Sequence, residues 1–212
     1  MKQNSTSPIF QALTVIYDFL VVNLLCIVCS LPVITMGASV SATYYVMLKI
    51  IRKEDSSVVG MFFSSFRQNL KQGTGLTLIF AISGLLLFFD FQICKGMQGT
   101  VKDFAEAILT ILVVIWSAMA SYAFPLLGQF DNPVKVTLKN SAGLAVIHLK
   151  KTVVILLLNA ILPVTFFCLP ELFMMIVPVY ASFGVAVTAF LNAKILVKVF
   201  DSYIEKPVIP ET

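Results

Sequence analysis

The chain has 212 residues, of which 58% are hydrophobic and 12% charged, with a formal net charge of +4. Soluble domains carry about 25% charged residues, so this composition, at a mean hydropathy of +0.94, excludes a soluble globular domain and a disordered chain. Four cysteines are too few for a secreted disulfide scaffold. What remains is an all-α, polytopic membrane helix bundle, expected as a single integral membrane domain over residues 1–212.

A crossing helix needs about 20 mostly apolar residues. Runs free of Lys, Arg, Asp and Glu cover residues 19–48, 72–89, 107–130, 152–170 and 172–193, a simple count of five. The first run contains Pro32 and Gly37, and proline removes a helix donor. Ser7-Pro8 reads as an N-cap with proline at the first helical position. The expectation is a helix over 8–31, a turn over 32–37 and a short helix over 38–53, whose Lys49, Arg52 and Lys53 snorkel to the interface. Six membrane-embedded helices are therefore expected, with five as the alternative.

Basic residues set the orientation. Lys49, Arg52, Lys53, Arg67 and Lys71 crowd one loop; Lys135, Lys139, Lys150 and Lys151 crowd another; Lys194, Lys198 and Lys206 follow the last run. The positive-inside rule places these loops and the C-terminus in the cytoplasm. Six spans put the N-terminus there too, and five put it outside. A weak internal echo favours six: Cys29-Ser-Leu-Pro32 and Cys168-Leu-Pro170 each close a helix, with Asn23 and Asn159 ahead of them.

Two cytoplasmic segments are basic and amphipathic. Val59, Phe62, Phe63, Phe66 and Leu70 recur at helical spacing, with Arg67 and Lys71 off the stripe. Val134, Leu138, Ala142, Ala145 and Leu149 line a second stripe beside Lys135 and Lys139. Such helices lie in the interface against anionic lipid, or they dock a partner. Arg67, Lys71, Lys135 and Lys139 are the candidate partner or lipid contacts.

No constellation for catalysis is evident. The single histidine, His148, neighbours Lys150 and Lys151, a poor setting for a metal ligand. Cys26 and Cys29 have the spacing of a metal or redox pair but lie in an apolar helix with no second pair. Cys94 and Cys168 both fall near the predicted outer face, where a bridge is open to them. No phosphate-binding glycine loop appears, and nothing suggests nucleic acid. No cofactor or metal is expected, and the chain reads as a non-enzyme. Charges and polar groups inside membranes are costly. Asp18 sits roughly 20 Å from the outer end of the first helix at 1.5 Å per residue. Asp18, Asn23, Asn159 and Asn192 are the residues that would face a common polar lumen.

Several ordered segments carry a resemblance: SLPVITMGA over 30–38, FRQNLKQGT over 66–74, PLLGQFDNP over 125–133 and LKNSAGLAVIHLKKT over 138–152. Together they resemble the YesL-like family, small polytopic proteins of unknown function mostly from Gram-positive bacteria. The resemblance implies a bacterial cell-membrane protein with an accessory role beside oligosaccharide ABC importers or in envelope polysaccharide metabolism. It implies permease or ATPase subunits as partners, alongside membrane lipids, and carries over no catalytic residue. Two functions are therefore expected to compete: a non-enzymatic accessory or regulatory subunit, and an autonomous small transporter or flippase-like protein.

Overall fold

Hydrocarbon offers no partner to a backbone amide, so apolar runs must close their hydrogen bonds within helices. A computed structural model describes residues 8–54 and 56–204, and no strand occurs among them. The helices are α1 (Pro8–Ser30), α2 (Met36–Ile51), α3 (Val58–Cys94), α4 (Thr100–Gln129), α5 (Val134–Ile147), α6 (Leu149–Cys168), α7 (Pro170–Val179) and α8 (Val185–Ile204). A 3-10 turn (Val33–Thr35) joins α1 to α2, and a π segment (Tyr180–Gly184) joins α7 to α8. By length and apolarity six helices can cross a membrane, the last running from Pro170 to Tyr203 through the π segment. Met1, Lys2, Ser7, Asp55 and Lys206 lie outside the described residues.

The short α2 is the hub. In its apolar window 56% of residues are buried, against 11–22% in the other five spans. Small residues explain this. Gly37, Ala38, Ser39, Ser41 and Ala42 are all buried and let neighbouring backbones approach. A Cβ on Gly37 would collide with the Gly73 carbonyl and the Thr77 hydroxyl; one on Gly73 would stand 2.5 Å from the Ala38 nitrogen. A Cβ on Gly128 of α4 would likewise strike the Ser41 carbonyl. The first amides of a helix lack intrahelical partners, and Gly37 N–H donates to Thr77 Oγ1 at 2.9 Å. Thr35 does the converse for α1, its hydroxyl donating to the Cys29 carbonyl at 2.7 Å.

Two boundaries differ from the sequence expectation. The amphipathic stretch after the second helix is not a separate interfacial helix: α3 runs unbroken through Gly73 and Gly75 for 37 residues. Its buried positions are Val58, Phe62, Ser65, Asn69, Gly73, Leu76, Thr77, Phe80 and Cys94. Val59 and Phe63 of the expected stripe are instead 41% and 37% exposed. The inward face is rotated by about one residue, because α3 packs against α2 along this stretch. Lys194 and Lys198 do not begin a tail either. Helix α8 continues past them, with Leu196, Val199 and Phe200 buried in the core.

The second amphipathic stretch is a helix of its own. In α5, Thr137, Ser141, Leu144 and Ala145 are buried, while Leu149 is 61% exposed. Val134 and Leu138 pack against Leu76, Phe80, Ala123 and Leu127 of α3 and α4. Thr152 joins three helices: its hydroxyl donates to the Ala145 carbonyl at 2.8 Å and lies 3.0 Å from Tyr122 Oη.

Candidate functional site

Inside the bundle a carboxamide from α6 meets one from α8. Asn192 Nδ2 donates to Asn159 Oδ1 at 2.8 Å and to Tyr44 Oη at 3.1 Å. Asn159 Nδ2 donates onward to Ser121 Oγ at 3.0 Å, and Ser121 donates to the Ser117 carbonyl at 2.8 Å. The chain of bonds thus links α2, α4, α6 and α8. Asn192 is fully buried, and its Oδ1 has no hydrogen-bond partner among the described residues. Two cavities, of about 150 and 240 Å³, flank the cluster, and both are lined by Val40, Tyr44 and Asn159. Cys26, Thr43 and Thr188 add polar atoms to the smaller one.

The expected common lumen is divided. Asn159 and Asn192 come together, but Asn23 works elsewhere. Its Nδ2 donates to the Ala181 carbonyl at 2.6 Å, and its Oδ1 accepts from the Ala186 amide at 3.1 Å. Those two backbone groups are five residues apart, the spacing of a π turn. Asn23 therefore supports the irregular ladder of the sixth span. Asp18 lies half-buried on α1 and lines neither of the two cavities flanking Asn159. Tyr44 and Ser121 complete the cluster. No sequence signal singles out Tyr44 as the residue that meets Asn192, since the pairing is set by the α2–α8 packing.

Most basic residues gather at one end of the bundle; Lys95 and Lys102 lie at the turn between α3 and α4, at the other. Arg52 at the end of α2 donates to Gln129 Oε1 at 3.0 Å and to Asp201 Oδ1 at 2.6 Å, tying the ends of α4 and α8 to it. Lys49 pairs with Glu54. Arg67, Lys71, Lys135 and Lys139 are exposed, and none belongs to an ion pair among the described residues. Val134, next to Lys135, stands 3.4 Å from where a Cβ on Gly75 would sit, one turn beyond Lys71. The two basic pairs thus flank the contact between α3 and α5.

The four cysteines are free thiols, Cys94 and Cys168 included. Among the described residues no group of three or more His, Cys, Asp or Glu could hold a metal ion. His148 sits at the joint between α5 and α6, its ring edge-on to Tyr203. Its Nε2 is buried without a hydrogen-bond partner among the described residues. Burial, and then the charge of Lys151, hold its pKa below the ordinary 6.5. The neutral form is favoured in the fold, so the unfolded chain binds more protons as pH falls through 6.5. Thermal melting in detergent is therefore expected to occur at lower temperature at pH 5 than at pH 7.5. His148→Gln should reduce that difference, and an unchanged difference would assign it to other groups.

These features define the class: a multi-pass helical membrane protein with a buried carboxamide cluster and, at its basic end, four exposed cations that belong to no ion pair among the described residues. Residues 19–91, about a third of the chain, match the model of a family described as "Protein of unknown function, DUF624". The match covers the second half of α1, all of α2 and most of α3, including the Gly37–Gly73 crossing. Comparison with curated proteins and with solved structures returned no match.

Proposed function

We propose that this protein is a non-enzymatic membrane accessory or regulatory subunit that docks a partner through its basic end. The observation that carries the reading is the set Arg67, Lys71, Lys135 and Lys139: four exposed cations on two adjoining helices, without acidic partners among the described residues. Unpaired charge of one sign steers complementary surfaces together. The positive-inside rule puts this end in the cytoplasm, where the ATPase or the cytoplasmic loops of a permease would meet it. The family match is consistent with an uncharacterised membrane family. The ordered resemblance to YesL-like proteins of Gram-positive bacteria supplies the finer reading, an accessory to oligosaccharide import or envelope polysaccharide metabolism.

The test is capture from native membranes. With a C-terminal tag, gentle crosslinking and mass spectrometry, the wild-type chain is expected to enrich a permease pair or its ATPase. The double variant Arg67→Glu, Lys71→Glu should reduce that enrichment several-fold with melting unchanged, because both side chains are exposed. Undiminished capture would remove the docking surface from these residues.

One observation favours a second reading, a small autonomous transporter: Asn159 lies between two cavities. Solute uptake by the purified chain in liposomes, abolished by Asn159→Leu, would support it. A sealed bilayer with no uptake would leave the cluster as an interhelical tie.

A further inference from the structure

A groove of about 360 Å³ opens at the basic end, between the end of α4, the second half of α5 and the end of α8. Leu126, Phe130, Leu144, Ile147 and Phe200 make its walls apolar, and Lys139 stands in its lining. Its volume falls in the range of about 300–1,000 Å³ typical of ligand sites.

Gly143 bears on how the groove is kept open. It lies inside α5, where glycine costs about 1 kcal/mol relative to alanine. Gly37, Gly73 and Gly128 answer a close approach; Gly60, inside α3, does not. At Gly143 a Cβ would meet nothing within 4 Å. No packing contact requires it; what its missing side chain leaves is the space of the groove, which it lines.

The groove also sits at a definite level. Leu149 opens α6, an apolar span, and Lys150 and Lys151 follow at once. Val146 and Ile147, on the turn before, are 68% and 67% exposed apolar residues, surface that lipid chains cover in a membrane. The groove thus faces the boundary between headgroups and hydrocarbon. Charge complements this position. Lys135 lies one turn before Lys139, and neither is paired among the described residues. Asp131 is the one acid between Phe130 and Lys151, and Asp201, near Phe200, is held by Arg52.

We infer that this groove binds one anionic phospholipid, its acyl portion along Phe130 and Ile147 and its phosphate against Lys139. Basic pockets between membrane helices on the cytoplasmic side hold anionic headgroups in this manner. The inference takes Lys139 from the docking surface proposed above and is independent of a protein partner at Arg67 and Lys71.

Native mass spectrometry of the purified full chain, titrated with phosphatidylglycerol or phosphatidylcholine, tests it. One phosphatidylglycerol per chain is expected to be retained at least tenfold more strongly than phosphatidylcholine. Gly143→Leu should abolish that single retained lipid by filling the groove. Lys139→Glu should remove the preference for the anionic lipid while leaving melting unchanged, since the side chain is exposed. If Gly143→Leu fails to fold, the Lys139→Glu result alone decides. Equal retention of the two lipids, or full preference in Lys139→Glu, would overturn the inference. So would loss of a captured membrane protein in Gly143→Leu with lipid retention intact, which would make the groove a protein-docking site.

Discussion

Gly37→Ala and Gly73→Ala are each expected to destabilise the bundle by about 1–3 kcal/mol, the usual cost of overpacking a filled interior. The added methyl has nowhere to go. At Gly37 it meets the Gly73 carbonyl and Thr77 Oγ1; at Gly73 it meets the backbone of Ala38. Backbone atoms cannot rotate away as a flexible side chain can, so α2 and α3 must separate. Separation would also cost the hydrogen bond from Gly37 N–H to Thr77. Gly143→Ala is the internal control. With nothing within 4 Å of the new atom, it should be neutral or stabilising by up to about 1 kcal/mol through helix propensity. Reversible unfolding in mixed detergent micelles would measure all three. Equal stabilities across the set would mean that the α2–α3 crossing is looser than the structure has it.

Asn23→Leu should be the most damaging of the buried asparagine substitutions, at about 1–3 kcal/mol, because it orphans a backbone carbonyl and a backbone amide together. Both groups belong to the irregular turn of the sixth span, and lipid has no replacement for either. Asn159→Leu removes only bonds between side chains. Interhelical bonds of that kind average about 0.6 kcal/mol in membrane proteins. The order Asn23→Leu well below Asn159→Leu is thus expected in the same unfolding assay. Hydrogen exchange at the Ala186 amide should accelerate in Asn23→Leu alone. A reversed order would make the Asn159–Asn192 cluster, rather than the π segment, the main polar tie.

The two asparagines on the Leu-Pro echo show how far sequence reading reaches. Asn23 and Asn159 stand at similar distances before a Leu-Pro turn, and nothing in their neighbours separates them. In the structure one braces a backbone ladder and the other joins a side-chain chain of bonds. The difference arises from what each faces: the π segment packs on α1, whereas α4 and α8 pack on α6. Periodicity likewise predicts an apolar stripe at 59–70 but misses its rotation, because α3 packs against α2 along this stretch. A run of small residues at Gly37–Ala42 was the available signal for the buried hub. From sequence this segment reads only as a short helix with snorkelling Lys49, Arg52 and Lys53, because small residues mark a packing face without saying what packs on it.

By itself the sequence determined the class of molecule. Helical hydropathy runs, their number and the clustering of Lys and Arg follow from the cost of placing unpaired backbone or charge in hydrocarbon, a cost paid locally, residue by residue. Tertiary structure alone decided which span is central, that Asn159 and Asn192 meet while Asn23 does not join them, and that α4, α5 and α8 leave a groove beside Lys139. In a chain where nearly every helix is apolar on all sides, hydrophobicity does not distinguish protein-facing from lipid-facing surfaces. Close packing of small residues and the pairing of buried polar groups make that choice, and both depend on partners distant in sequence.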